Sequence, residues 1–349
     1  MIPVSVITGF LGSGKTTLLA HLLRDPGMSR TAVIINEFGA IGLDHDLIET
    51  SDESFVRLSN GCLCCNVRSD LTLTLNDLAA RRAAGSVPPF ERVVIETTGL
   101  ADPAPILHAL MTDRDLSEVY VLDGVVATVD ALTGLATLER HDESLRQAAV
   151  ADRIVLTKTD LPGAQTAAIQ RRLAMINPGA PVLPVVSGAI APSALFDAGL
   201  YDAAGKHRDV RAWLADEAVA AAHGHARHRH RDEITTFCVV RDEPVRAVTL
   251  ALLLSALAEN CGADLLRMKG IVHVAEEPAR PAVIHGVQHV YHAPVWLERW
   301  PSIDRRTRLV FIGRNIRESW VRALLDLLDA EVAFAISLTN PMKRQGVRS

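Results

Sequence analysis

The chain has 349 residues, 48% hydrophobic and 22% charged, an ordinary globular balance that at about 150 residues per domain makes room for two domains. Disorder and small disulfide scaffolds are excluded. Thirty-six Lys and Arg against 41 Asp and Glu leave a net charge of -5, so nothing in the balance recommends a nucleic-acid groove or an anionic membrane, and any polyanion must be held locally.

In chain order, residues 1–10 read MIPVSVITGF without a basic leader, and a strand pattern over 4–8 runs straight into glycines, which argues against a signal peptide. Further short runs rich in β-branched residues follow at 32–36, 92–96, 119–122, 153–157 and 182–187, with helical spacing between some of them at 16–24, 71–84 and 166–176. Continuous apolar strands alternating with helices predict a parallel sheet covered on both faces. The pattern breaks near residue 205. Residues 203–232 are rich in Ala, His and Arg, and their second half, HGHARHRHRD, is a polar low-complexity tract that reads as a linker. Beyond it come a strand (234–241), a helix (245–260), three strands (265–275, 282–291 and 308–312) and a helix (316–328). That is a small α+β domain. The last stretch, from 331, ends basic and polar and is expected to be poorly ordered. The longest apolar stretch, 250–258, is half the length a membrane helix needs, so a soluble, cytoplasmic protein is expected.

Gly9-Phe10-Leu11-Gly12-Ser13-Gly14-Lys15-Thr16-Thr17 fits GxxxxGK[ST] between a strand and an amphipathic helix. Backbone N–H groups along Gly9, Gly12, Ser13 and Gly14 can cradle phosphate oxygens, Lys15 can reach the β and γ phosphates, and the Thr16 hydroxyl is the expected Mg²⁺ ligand. The bland alternative is a glycine-rich turn with an incidental Lys. Glu96 ends a buried strand, and Gly99 follows three residues later. A carboxylate there can hold the Mg²⁺ shell or polarise a water, while the Gly99 N–H can approach a γ-phosphate and sense its loss. Capping of the next helix is the other role open to Glu96. Lys15, Glu96 and Gly99 are thus the candidate catalytic residues.

Thr157-Lys158-Thr159-Asp160 follows the strand at 153–157. The Asp160 carboxylate can accept both N1–H and N2–H of guanine, whereas adenine offers no matching donor pair, so GTP is preferred over ATP. The stretch resembles the NKxD signature of GTPases with Thr157 in place of Asn, which keeps a hydroxyl and loses an amide. Ser187-Gly188-Ala189 could supply a backbone N–H to the guanine O6, with a plain loop as the alternative.

Three of the five Cys, Cys62, Cys64 and Cys65, share one tight loop in Asn60-Gly61-Cys62-Leu63-Cys64-Cys65, too close for a disulfide framework and suited to a reduced compartment. Thiolates at this spacing can converge on one soft ion at Zn–S distances of about 2.3 Å, leaving a fourth position open or exchangeable. Buried structural Cys or a redox pair are the other readings. In a doubly wound sheet the strand ends before and after this loop gather on the same edge as the phosphate loop. Four of the 13 His, at His223, His225, His228 and His230, could bind Zn²⁺, Ni²⁺ or Co²⁺ as a reservoir, although interleaved Arg227, Arg229 and Arg231 repel cations and a solvated linker needs no ligands. His285, His289 and His292, and the remaining Cys238 and Cys261, read as ordinary residues of the small domain.

Together, GFLGSGKTT, NEFGAIGLDHDLI, LSNGCLCC, ETTGLADPAPI, DGVVATVDA, ADRIVLTKTD, LLRMKGIVHV and TRLVFIG resemble the CobW-like metallochaperone GTPases, P-loop relatives of UreG and HypB, over nearly the whole chain. ETTGLADPAP is closer to their zinc-linked branch. The resemblance implies an α/β P-loop domain at 1–205, the His/Arg-rich linker at 206–232, a smaller α+β domain of the CobW C-terminal type at 233–332 and a tail at 333–349. It also implies a GTPase that carries a metal, zinc or in some members cobalt, to a client metalloprotein. Gly9, Gly12, Gly14, Lys15, Thr16 and Thr17 would bind GTP, Cys62, Cys64 and Cys65 would bind the metal, and Glu37 is an added ligand. Many members read NEFGE, but Ala40 stands here in place of the second glutamate. GTP and Mg²⁺ would fix the segments around Glu37 and Glu96, and hydrolysis would loosen the cysteine site. A nucleotide-regulated metal buffer or sensor, a cobalt-delivering homologue and a P-loop enzyme acting on a small molecule are the alternatives. No nucleic acid or membrane partner is expected, and a homodimer is left open.

Overall fold

The structure is a computed structural model that describes residues 1–35, 67–196 and 234–339, the side chains of 67–70 excepted. It divides into two compact units, Met1–His225 and Ala226–Ser349.

In the first unit the strands are β1 (Ile2–Gly9), β2 (Thr31–Ile35), β3 (Arg92–Glu96), β4 (Tyr120–Asp130), β5 (Arg153–Thr157) and β6 (Val182–Pro184). They form one six-stranded sheet in the order β2-β3-β1-β4-β5-β6, every pair parallel. The expected α/β class is borne out. The helices are α1 (Lys15–Leu22), α2 (Val67–Ala83), α3 (Ala104–Thr112), α4 (Arg114–Val119), α5 (Gly134–Arg140), α6 (Asp142–Val150) and α7 (Thr166–Ile176). β1 is apolar on both faces, with Val4, Val6 and Ile7 fully buried, as a central parallel strand requires. α1 lays Leu18, Leu19 and Leu22 against Ile7, Val33, Val94 and Val126 of the sheet, which fixes its first turn over the C-terminal end of β1.

β4 is longer than the predicted 119–122. Asp123-Gly124 has the composition of a turn, but the pairing with β1 slips there, from Val4 opposite Leu122 to Ser5 opposite Gly124, and the strand continues. The skipped Asp123 carboxylate accepts a hydrogen bond from the Ser5 hydroxyl at 2.9 Å. The helices α3, α4, α5 and α6 were not anticipated individually. β6 stops at Pro184, short of the predicted 187, and Ser187 and Gly188 follow in left-handed conformations.

The second unit comprises β7 (Ile234–Arg241), α8 (Ala247–Cys261), β8 (Leu265–Val272), β9 (Ala282–Val287), β10 (Val290–Tyr291), β11 (Val295–Trp296), β12 (Thr307–Arg314) and α9 (Glu318–Thr339). Its strands pair antiparallel in the order β10-β9-β8-β12-β7, with β11 also on β9. Leu253 and Leu257 of α8 and Val321 and Leu325 of α9 close over Met268, Ile284 and Phe311 of the sheet, giving the expected α+β arrangement. The single strand predicted at 282–291 is a hairpin, turned at Gln288 with φ 53°. Helix α9 runs past 328 through Thr339, so the chain from 331 to 339 is helical where loss of order was expected, because Val332 adds another buried apolar position on the same helical face. No helix among the described residues is long and apolar enough to cross a membrane.

Tyr120 ties α2 to the start of β4, its buried hydroxyl donating to the Leu75 carbonyl at 2.9 Å. Burial lifts its pKa from 10.0 to about 12, against an opposing pull from Arg82. The folded protein thus holds this proton more tightly than the unfolded chain, so the Tyr120 contribution to stability is constant below pH 10.0 and falls as pH rises toward about 12. In urea denaturation Tyr120→Phe is expected to cost about 1 kcal/mol at neutral pH and to remove that part of the alkaline loss.

Candidate functional site

The parallel register sets Ile7 of β1 opposite Glu96 of β3, Asp130 of β4 opposite Thr157 of β5, and Gly9 opposite Thr128, so the C-terminal ends of four strands carry the site on one edge of the sheet. The phosphate-loop motif occupies the turn from β1 into α1. Gly14, the residue before the helix, has φ 94°, a left-handed geometry that glycine adopts without strain. Lys15 is buried and its Nζ donates to the carbonyls of Gly9 at 2.9 Å and Phe10 at 3.2 Å, which folds the side chain back over the loop.

Thr16 and Glu96 lie 80 residues apart in sequence, yet the Thr16 hydroxyl donates to Glu96 Oε1 at 2.8 Å. Glu96 is itself buried. These are hard oxygen donors, the chemistry that Mg²⁺ selects. The loop from Thr97 to Asp102 then runs beside the phosphate loop. Gly99 lies so close to Leu11 that a Cβ placed on it would come within 2.7 Å of the Leu11 backbone nitrogen and Cα, so no other residue fits without displacing one of the two loops. The Thr97 hydroxyl donates to that of Thr8 at 2.9 Å, and the Thr97 N–H to the Ile7 carbonyl.

At the other end of the loop, the Thr157 hydroxyl donates to the Ser13 carbonyl at 2.7 Å, and the Ser13 and Thr128 hydroxyls are 2.6 Å apart. Lys158, in a left-handed conformation with φ 57°, sends Nζ across to the Gly12 carbonyl at 2.9 Å and to Asp130 Oδ2 at 2.6 Å. Asp130 is further fixed by the Leu132 N–H, donated to Oδ1. Asp160 is exposed beyond them. Gly188 packs on α1, where a Cβ would stand 3.0 Å from the Thr17 carbonyl oxygen. A cavity of about 400 Å³ joins these parts, lined among others by Gly12, Lys15, Thr16, Glu96, Gly99 and Ser187.

The phosphate-loop residues Gly9, Gly12, Ser13, Gly14, Lys15, Thr16 and Thr17 are therefore brought together with Glu96, Gly99, Thr157 and Lys158. Cys62, Cys64, Cys65, Glu37, His223, His225, His228 and His230 lie outside the described residues. Among the described residues there is no group of three or more His, Cys, Asp or Glu able to hold a metal. His285 is buried on β9, and Cys238 and Cys261 are half-buried. Burial, helped by Asp264, pushes the Cys261 thiol up, which disfavours the thiolate a metal needs. Sequence reasoning missed Thr128, Asp130, Arg146 and Gln147; reading the β4 strand through to 130 would have exposed the first two as strand-end residues on the same edge.

The family model described as the CobW/HypB/UreG nucleotide-binding domain matches residues 3–184, and that of the cobalamin synthesis protein cobW C-terminal domain matches 234–328. The chain is 35% identical to the zinc chaperone YjiA of Escherichia coli (strain K12) over 92% of its length and 97% of that protein. It is 31% identical to the zinc chaperone CobW of a Sinorhizobium species, over 94% of this chain and 97% of that one. Among solved structures, that of the Zn(II)-bound YjiA GTPase from E. coli matches 94% of this chain and 98% of its own at 30% identity with a TM-score of 0.68. The chain belongs to the CobW/HypB/UreG family.

Thr157→Val keeps the shape of the side chain but removes its hydrogen bond to the Ser13 carbonyl, a buried link between β5 and the phosphate loop. Chemical denaturation of the first unit's transition is expected to show a loss of about 1 to 2 kcal/mol.

Proposed function

We propose that the chain is a GTPase that carries zinc to a client metalloprotein. The 2.8 Å hydrogen bond from Thr16 to Glu96 beside the phosphate loop carries the nucleotide half of this reading. The zinc half is supported by the relatives described as zinc chaperones and by the triplet Cys62, Cys64 and Cys65.

In this reading the N–H groups from Gly9 to Thr17 and the Lys15 ammonium hold the β and γ phosphates, and Thr16 and Glu96 hold Mg²⁺. Held by Thr16 and Glu96, Mg²⁺ would supply positive charge to offset the charge that develops on the phosphates. Asp160 accepts the paired N–H donors of guanine and Lys158 spans from the phosphate loop toward the base. Gly99 offers its N–H to the γ-phosphate, which ties the 97–102 segment to the triphosphate state. Zinc is cargo, held by Cys62, Cys64 and Cys65 with Glu37. When the γ-phosphate leaves, the segments it ordered relax, and the cysteine site weakens toward release. His223, His225, His228 and His230 feed metal to that site, and the second unit and exposed loops recognise the client.

None of the motifs supplies an arginine finger, so purified protein with GTP and Mg²⁺ should turn over at about 10⁻⁴ to 10⁻² per second, with stimulation by client or metal. Cys64→Ala should lower zinc affinity in a competition assay and leave GTP binding largely intact. Rapid turnover by the apoprotein, or joint loss of zinc and GTP binding in Cys64→Ala, would overturn the assignment.

A further inference from the structure

The nucleotide motifs leave α6 without a part, yet this helix meets the site three times. The His141 ring at its start packs at a tilt against Phe10 of the phosphate loop, with centroids 4.5 Å apart. Arg146 Nη1 lies 3.2 Å from Asp102 Oδ2, and Asp102 Oδ1 accepts the Ala104 N–H at the start of α3. Gln147 makes the most informative contact. Its amide nitrogen donates to the carbonyls of Gly99 at 3.3 Å and Ala101 at 3.0 Å.

Gln147 is only 1% exposed, and its Oε1 has no hydrogen-bond partner among the described residues. The amide orientation follows from its neighbours: turned over, Oε1 would face two carbonyl oxygens and both hydrogen bonds would be lost. A buried acceptor without a donor is costly, and an apolar side chain of the same length would avoid the cost. The nitrogen end is thus committed to the two carbonyls of this segment, and that is the hold the side chain has on it.

That segment is the loop pressed against the phosphate loop. Gly99 is held on one side by the Leu11 backbone and on the other by Gln147, so any movement of its N–H relative to the phosphates must alter the Gln147 hydrogen bonds. We propose that Gln147 is a positioning residue that holds the Gly99–Ala101 backbone and so sets how strongly the site distinguishes a nucleoside triphosphate from a diphosphate. The inference rests on the reading of Gly99 as the γ-phosphate contact. Because α6 leads directly into β5 and Thr157-Lys158, the same helix joins the γ-phosphate end of the site to its base end.

Gln147→Met keeps the length of the side chain while removing donor and acceptor. Affinities of full-length wild type and variant for GDP and for a non-hydrolysable GTP analogue, both with Mg²⁺, should show the analogue weakened about tenfold and GDP little changed, with kcat lowered more than KM is altered. An unchanged analogue-to-GDP ratio in the folded variant, or equal losses for both nucleotides, overturns the proposal. Gln147→Glu gives an independent readout. A neutral acid donates one hydrogen bond to the facing carbonyls and a carboxylate none, so discrimination should recover as pH falls in this variant and not in wild type. A pH profile identical to wild type also overturns it. Failure of the underlying reading is distinct: wild-type protein would then bind both nucleotides equally or neither of them.

Discussion

The whole site depends on the parallel pairing of β1 with β3, in the register that sets Ile7 beside Glu96. A slip of one residue would turn Glu96 to the other face of the sheet and separate it from Thr16. Both strands are held by burial, Val4, Val6 and Ile7 of β1 and Val93, Val94 and Ile95 of β3 being fully enclosed, and in this register the strand-end Glu96 meets the Thr16 hydroxyl. From that constraint follow the 2.8 Å contact between Thr16 and Glu96 and the close passage of Gly99 over Leu11. Stability of the sheet and geometry of the site are therefore the same property seen at two ends of one strand.

Polar residues that face inward around the phosphate loop form a second tier. Thr128, Thr157 and Lys158 all reach its hydroxyl or carbonyl groups and brace it from the strand ends. Thr157, which stands where an NKxD sequence has Asn, bridges β5 to the loop through its hydroxyl, which reaches the Ser13 carbonyl. Gln147 adds an equivalent anchor for the neighbouring 97–102 segment. The two anchors restrain different halves of the cavity, Gln147 from α6 and Thr157 from the end of β5, the next element in the chain.

Much of this was legible in the sequence because the motifs coincide with breaks in apolar runs. The glycines after β1, the Glu at the end of β3 and the Lys after β5 each mark a strand end, and strand ends of a parallel sheet share one edge. The fold class could be read for the same reason. What escaped was tertiary. Asp123-Gly124 has turn composition but serves as a bulge inside β4, which hid Thr128 and Asp130 from view. Gln147 is one polar residue in a short helix, and its partners are backbone carbonyls 48 and 46 residues away, which no side-chain pattern encodes. The end of α9 was misjudged because its last turns are apolar without being mostly buried.

The central claim is that nucleotide state and zinc affinity are linked through the segments that border the γ-phosphate. Zinc affinity measured by competition titration with a non-hydrolysable GTP analogue, with GDP and without nucleotide tests it most directly. The account predicts affinities that differ by about 5- to 150-fold between the analogue and GDP, with the same factor recovered when zinc is present and the nucleotide is titrated. One zinc affinity under all three conditions would contradict it.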